Sequence, residues 1–154
     1  MAGPRAIAAA VEGVAASLRR RYPREQFGSG LVVDAVAPAG LRDAMAEDGI
    51  SVCLWRVTIN GHARARPPRR DELGRAFRPS LPVDLSLVVV PHAGNAQTQQ
   101  RLLGWVMRAL EDQPSFPAVE LNQALGGANV FRSEEAAELV AEPLAVADHL
   151  ALWD

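Results

Sequence analysis

The chain has 154 residues, of which 49% are apolar, and a formal net charge of −2. This size and composition are typical of one globular domain, which we expect to span residues 1–154. The small negative charge argues against a general affinity for nucleic acid, so any basic surface must be local. No uninterrupted run of about 20 apolar residues is present, which argues against a membrane-spanning helix and membrane partners.

The first predicted element is a helix over residues 5–21, whose apolar face carries Ile7, Val11, Val14 and Leu18. Its arginines, at positions 19–21, follow the apolar stretch instead of preceding it, the reverse of a secretory signal. We therefore expect a cytoplasmic protein. The three arginines suit either a solvated last turn that complements the helix dipole or a phosphate site, and we favour the solvated turn.

The next segments alternate between loops and strands. Residues 24–30 are polar and glycine-bearing and predict a loop, residues 31–36 predict a strand, and residues 41–47 a short helical turn. Residues 51–59 then predict a long strand rich in β-branched and aromatic side chains. Strict alternation places one set of them on a single face: Cys53, Trp55, Val57 and Ile59. We expect Cys53, the lone cysteine, to be a small buried apolar residue.

Residues 60–79 form an arginine-rich loop of about 20 residues, whereas hairpin loops usually have two to five. Its arginines are Arg64, Arg66, Arg69, Arg70, Arg75 and Arg78. They suit either docking onto acidic residues of another subunit or binding of nucleic-acid phosphates. We favour docking, because Phe77 is the only aromatic residue available for stacking. Arg64 also suits an ion pair that anchors the loop to the sheet, and we expect the Asn60 amide to hold the entry turn.

A second long strand is predicted over residues 83–90, followed by an amphipathic helix that ends before Pro114. The predicted apolar stripe of this helix consists of Leu102, Leu103, Val106, Met107 and Leu110. Residues 114–132 contain prolines and glycines and predict irregular structure. Residues 137–141 predict a short strand and residues 144–153 a final helix.

No residue pattern in the chain indicates catalysis or metal binding. The three histidines lie far apart, without the spacing of metal ligands, and no serine stands in a nucleophile elbow. Acidic clusters at residues 111–112 and 134–138 suit solvated faces or, if they do more, pairing with a partner's arginines. We expect no enzyme, no catalytic or metal-binding residue and no cofactor.

Several blocks of the central region follow one another in a specific order. They are residues 50–58 (ISVCLWRVT), Asn60 with Arg64, residues 80–87 (SLPVDLSL) and residues 100–110 (QRLLGWVMRAL) before Pro114. In this order they resemble the DUF4255 family, whose members are similar to the N-terminal domain of the cap, or tail-terminator, protein of phage-tail-like contractile injection systems. Relatives commonly continue beyond the point that corresponds to Asp154.

The resemblance implies an α/β (α+β) fold, a single mixed sheet flanked by helices as in tail terminators. It also implies a structural role in a hexameric ring that ends the inner tube and sheath and joins their last rings. Asn60 and the loop arginines are the expected partner contacts. The alternative is a small adaptor or nucleic-acid-binding module that uses the same loop, although nucleic acid is the less favoured partner.

Overall fold

A computed structural model describes residues 5–28, 30–44, 47–63, 69–70, 74–77 and 81–151. The helices are α1 (Ala6–Arg21), α2 (Arg24–Phe27), α3 (Leu41–Ala44), α4 (Ala96–Glu111), α5 (Ala118–Ala124) and α6 (Val146–Ala151), with a 3₁₀ turn at Pro38–Gly40. The strands are β1 (Val32–Val36), β2 (Gly49–Ile59), β3 (Arg69–Arg70), β4 (Ala76–Phe77), β5 (Val83–His92), β6 (Ser115–Pro117) and β7 (Ala136–Glu138).

The main sheet has the strand order β1-β2-β5. β1 runs parallel to β2, and β5 runs antiparallel to it, so the predicted mixed sheet flanked by helices is confirmed. Two smaller two-stranded sheets pair β3 with β4 and β6 with β7. The β3–β4 pair lies inside the predicted arginine-rich loop, which therefore contains a short hairpin of its own.

Helix α1 lies at the centre of the core. Alanine favours the helix, and Val14, Ala15 and Leu18 are buried in one cluster with residues of β1, β2, α4 and α5. Gly13 permits the close approach of α5, since a Cβ at this position would lie 2.8 Å from Leu121 Cδ2.

The arginines at the end of α1 connect it to three neighbouring elements. Arg19 donates to the Val33 carbonyl oxygen of β1 at 3.0 Å and 2.6 Å. Arg20 pairs with Glu120 of α5 at 2.9 Å, and Arg21 donates to the Ala109 carbonyl oxygen of α4. These side chains are exposed, as predicted for a solvated last turn, and each also makes a specific contact that fixes the helix end.

The predicted apolar stripe of α4 is only partly correct. Leu102 and Val106 are buried, whereas Leu103 is 44% and Met107 65% exposed. The buried stripe instead includes Ala109, because the helix turns its Leu102–Ala109 face towards the sheet and α1. Leu103 and Met107 lie one turn apart at the exposed margin of this stripe.

Residues 114–132 are more regular than predicted. The proline at 117 is the N-cap residue of α5, where a missing N–H costs nothing, and Gly126 and Gly127 adopt φ values of +71° and +83° after the helix. Asn122 then accepts hydrogen bonds from the backbone N–H groups of Val130 and Phe131, both at 2.9 Å. The loop predicted at 24–30 likewise contains the single-turn helix α2.

The C-terminal elements lie near their predicted positions, and α6 begins at Val146 instead of at residue 144. β7 covers Ala136–Glu138 and α6 covers Val146–Ala151, while residues 152–154 lie outside the described part of the chain. Among the described residues, no helix is both long and apolar enough to cross a membrane.

Candidate functional site

The hairpin formed by β2 and β5 is longer than the core that supports it. β1 pairs with β2 only from Gly49 to Cys53, so beyond that point β2 and β5 pair only with each other among the described strands. Burial falls along β2 accordingly, from fully buried over its first residues to exposed over its last ones. We call residues 54–59 and 83–87 the interaction ribbon.

A β-bulge at the base of the interaction ribbon changes which side chains share a face. Leu54 lies opposite Leu87 and Arg56 opposite Ser86, so Trp55 has no residue opposite it in β5. The extra residue reverses the alternation of β2. The prediction that Cys53, Trp55, Val57 and Ile59 share one face is therefore wrong, because Val57 moves to the face opposite Cys53.

This reversal extends the apolar face of the core along the interaction ribbon. β5 alternates regularly, so its residues 83, 85, 87 and 89 share one face, and Leu87 and Val89 pack against the core. Val57 and Ile59 lie opposite Leu85 and Val83 on that face.

The outer part of this apolar face has no cover among the described residues. Val57 is 44%, Ile59 53% and Val83 37% exposed. Leu81, which precedes the strand, is exposed as well. A group of large apolar side chains left in water at one end of a sheet is typical of a surface that another molecule covers.

The opposite face of the interaction ribbon is polar. It carries Arg56, Thr58, Asp84 and Ser86. Arg56 lies 3.9 Å from Asp148 of α6, which places the last described helix on this side. The interaction ribbon therefore has one apolar face and one polar face.

Asn60 holds the turn that leads from β2 into the arginine-rich segment. Its Oδ1 accepts from the Ala63 backbone N–H at 2.9 Å, and its Nδ2 donates to Asp84 Oδ1 at 3.1 Å. Its own N–H donates to the Pro82 carbonyl oxygen at 3.1 Å. The expected role of its amide in the entry turn is thus observed, while its contact with a partner stays a prediction.

The predicted contact arginines are described to different extents. Arg70 is exposed and donates to the Gly74 carbonyl oxygen at 3.4 Å, and Arg75 is exposed as well. Arg69 is described in its backbone, where it pairs with Phe77. Arg64, Arg66 and Arg78 lie outside the described residues, and so does the proposed ion pair of Arg64 with the sheet.

His92 and Cys53 both lie in the interior of the fold. The His92 ring is buried; its Nδ1 donates to the Glu47 carbonyl oxygen, and its Nε2 lies 3.1 Å from Ser51 Oγ. Within the described part of the chain, no group of histidine, cysteine and acidic side chains is arranged to hold a metal ion. Cys53 is buried as predicted, and this burial raises the pKa of its thiol.

A family model described as the Pvc16 N-terminal domain matches residues 9–154. The chain belongs to this family. The family is associated with phage-tail-like contractile injection systems, so the protein is related to such a system. A comparison with curated proteins found no match. The matched range includes most of α1, the main sheet and the whole interaction ribbon.

The acidic clusters of this Pvc16 N-terminal domain face solvent but differ in their contacts. Asp112 pairs with Arg108 at 3.0 Å, one helical turn before it. Glu134 is exposed; its backbone hydrogen bond, Ser133 and Arg132 lower the pKa of its carboxyl. Glu111 and Glu138 are also exposed. The exposure of these carboxylates fits the predicted solvated faces.

Proposed function

We propose that this Pvc16 N-terminal domain is the cap, or tail terminator, of a contractile injection system. It forms a hexameric ring that ends the inner tube and the sheath and joins their last rings. The observation that carries the proposal is the uncovered apolar face of the interaction ribbon. Val57, Ile59 and Val83 are far more exposed than equivalent residues at the base of the same strands. Family membership supports the same assignment.

Ring formation has a physical requirement that the interaction ribbon suits. A head-to-tail contact needs two different surfaces on each subunit, and the ring closes only if the rotation between subunits is fixed. A ribbon that leaves the core provides one such surface, and its apolar face supplies the area that association buries. The arginine-rich loop, residues 60–79, supplies positive charge next to this apolar face. Such charge contributes more to the orientation and choice of the partner than to affinity.

We further propose that Arg70, Arg75 and the other arginines of residues 60–79 contact carboxylates of neighbouring subunits. Arginine suits this role because its planar fork binds a carboxylate through two parallel hydrogen bonds. Glu111, Glu134 and Glu138 are exposed carboxylates on other elements of the same chain and are therefore candidates for the opposite side of the contact. The role we propose is structural and not catalytic.

The test is the native mass of the protein, alone and after mixing with the inner-tube and sheath proteins encoded beside it. The variant Val57→Ser/Ile59→Ser removes apolar surface from the interaction ribbon, while Val140→Ser is the matched control, since Val140 is 80% exposed outside the ribbon. We expect the wild type and the control to form a ring, and the double variant to lose it while retaining its helical circular dichroism. A wild type that stays monomeric with both partners would refute the proposal.

A further inference from the structure

The backbone of β5 reveals which of its polar groups face away from β2. Pro91 has no N–H, and its carbonyl oxygen accepts from the Gln99 side chain at 3.1 Å, outside the β2 ladder. The Pro82 carbonyl oxygen instead accepts from Asn60 of the β2 side. Both observations indicate that the backbone N–H and C=O groups of even-numbered β5 residues point towards β2, whereas those of odd-numbered residues point outwards. The N–H and C=O groups of residues 83, 85, 87 and 89 therefore lie on the outer edge of β5.

The two edges of the main sheet differ in their protection. At the β1 edge, the Val33 carbonyl oxygen is bound by Arg19, a charged side chain that blocks the approach of another strand. At the β5 edge, no described residue bonds to the outward groups of residues 83–89. Over these residues the edge carries no lysine, no bulge and no inward-pointing charge. It is an open template for strand pairing.

The open edge of β5 lies between two prolines, and its outward-facing residues are symmetric about one position. Pro82 and Pro91 bound it, and the outward residues 83, 85, 87 and 89 are arranged symmetrically about Ser86. An antiparallel copy of the same strand centred on Ser86 places Val83 opposite Val89 and Leu85 opposite Leu87. Each of these outward pairs exchanges two hydrogen bonds, which gives about eight bonds in all. A register shifted by two residues leaves outward groups of both copies without partners.

We propose that two copies of this chain associate by antiparallel pairing of their β5 edges about a two-fold axis at Ser86. The side chains fit this register. On one face, every cross-strand pair is apolar, and the two copies continue each other's exposed apolar face. On the other face, Asp84 lies opposite Val88 and not opposite its own copy, so no like charges meet. A partner strand of unrelated sequence shares the hydrogen bonds but not this self-complementarity.

The contact is isologous, which distinguishes it from the ring. A two-fold contact uses the same surface on both copies and stops at two, whereas the proposed ring uses two different surfaces. The β5 contact does not depend on the cap function. In the absence of tube and sheath proteins, it covers an edge that otherwise invites open-ended aggregation.

The first test is a cysteine cross-link at the two-fold axis. In the proposed register Ser86 forms a non-hydrogen-bonded pair with Ser86 of the second copy, with Cα atoms about 4.5 Å apart, within the span of a disulfide. Ser86→Cys should therefore give a covalent dimer on mild oxidation. Asp84→Cys is the matched control, because its copy lies four residues away, about 13 Å along the strand. Wild type contains only the buried Cys53 and should not cross-link.

Failure of Ser86→Cys to cross-link, or equal cross-linking by Asp84→Cys, would overturn the proposal. Amide exchange supplies a second test without mutation. At high protein concentration, the outward amides of Leu85, Leu87 and Val89 should be protected, and on dilution they should exchange fast while Ser86 and Val88 stay protected. Protection of Leu87 at every concentration would show that the edge is covered within one chain and would equally refute the contact. Because these tests use the protein alone, a failed ring assembly with tube and sheath proteins leaves their outcome unaffected.

Discussion

The close approach of α1 and α5 gives a stability prediction whose size follows from the structure. In Gly13→Ala, the new Cβ would lie 2.8 Å from Leu121 Cδ2, closer than real Cβ contacts occur. Overpacking of a core costs about 1–3 kcal/mol, and the better helix propensity of alanine returns about 1 kcal/mol. We expect the free energy of unfolding to fall by about 0–2 kcal/mol, measured by urea denaturation with circular dichroism.

Two further variants isolate the contact between these residues. Leu121 is fully buried, so Leu121→Ala alone should cost about 3–5 kcal/mol through lost burial and a cavity. In the double variant Gly13→Ala/Leu121→Ala, the methyl group added at position 13 occupies part of that cavity without a clash. The double variant should therefore be more stable than the sum of the single changes predicts, by about 1–2 kcal/mol.

Gly104→Ala is the matched control for helix propensity. Gly104 lies in the middle of α4, is exposed, and a Cβ there meets nothing within 4 Å. The change should stabilise the protein by about 1 kcal/mol. If Gly13→Ala stabilised it to the same extent, or if the double variant were additive within about 0.5 kcal/mol, the inferred contact between α1 and α5 would be refuted.

Further predictions concern the helix end, the buried thiol and the entry turn. Arg19→Met should lower the free energy of unfolding by about 1 kcal/mol, since it leaves the Val33 carbonyl unpaired; no change would show that water replaces the guanidinium. Burial raises the pKa of the Cys53 thiol in the folded protein. The contribution of this thiol to the free energy of unfolding should therefore be complete below the unfolded pKa of about 8.5 and should decline as the pH rises above that value. In denaturant titrations, the free energy of unfolding of Cys53→Ala should not show this decline at alkaline pH. A decline equal to that of the wild type would contradict the prediction. Asn60→Ala should speed tryptic cleavage within residues 61–80, and an unchanged rate would exclude its role in the turn. Fluorescence anisotropy should show no DNA binding with steep salt dependence, whereas such binding would favour the nucleic-acid module.

The long elements were predictable because their signals are local. The alanine-rich repeat of α1, the β-branched run of β2 and the periodicity of α4 occur within single segments, and the structure forms each element where it was predicted. The mixed sheet was implied by the family resemblance, and the burial of Cys53 by its place within a long strand. Asn60 was identified from the motif that carries the family resemblance, and its amide bonds its own turn, as asparagine readily does.

What the sequence did not reveal depends on contacts between distant segments. The bulge at Trp55 lengthens β2 relative to β5, and only the pairing of the two strands shows that Val57 joins the apolar face. The roles of Arg19 and Arg21 depend on carbonyl groups that lie 14 and 88 residues further along the chain. Proline and glycine around residues 114–127 suggested disruption, although in the fold they begin and end α5.

The sequence by itself therefore determined the class of fold, the position of its main elements and the family, because these rest on local propensity and on ordered motifs. The tertiary structure decided which surfaces stay open. Exposure of the interaction ribbon follows from β1 ending at Val36, and the open β5 edge follows from the position of β5 at the end of the strand order. Both depend on where elements stop against one another, a property that no single segment encodes.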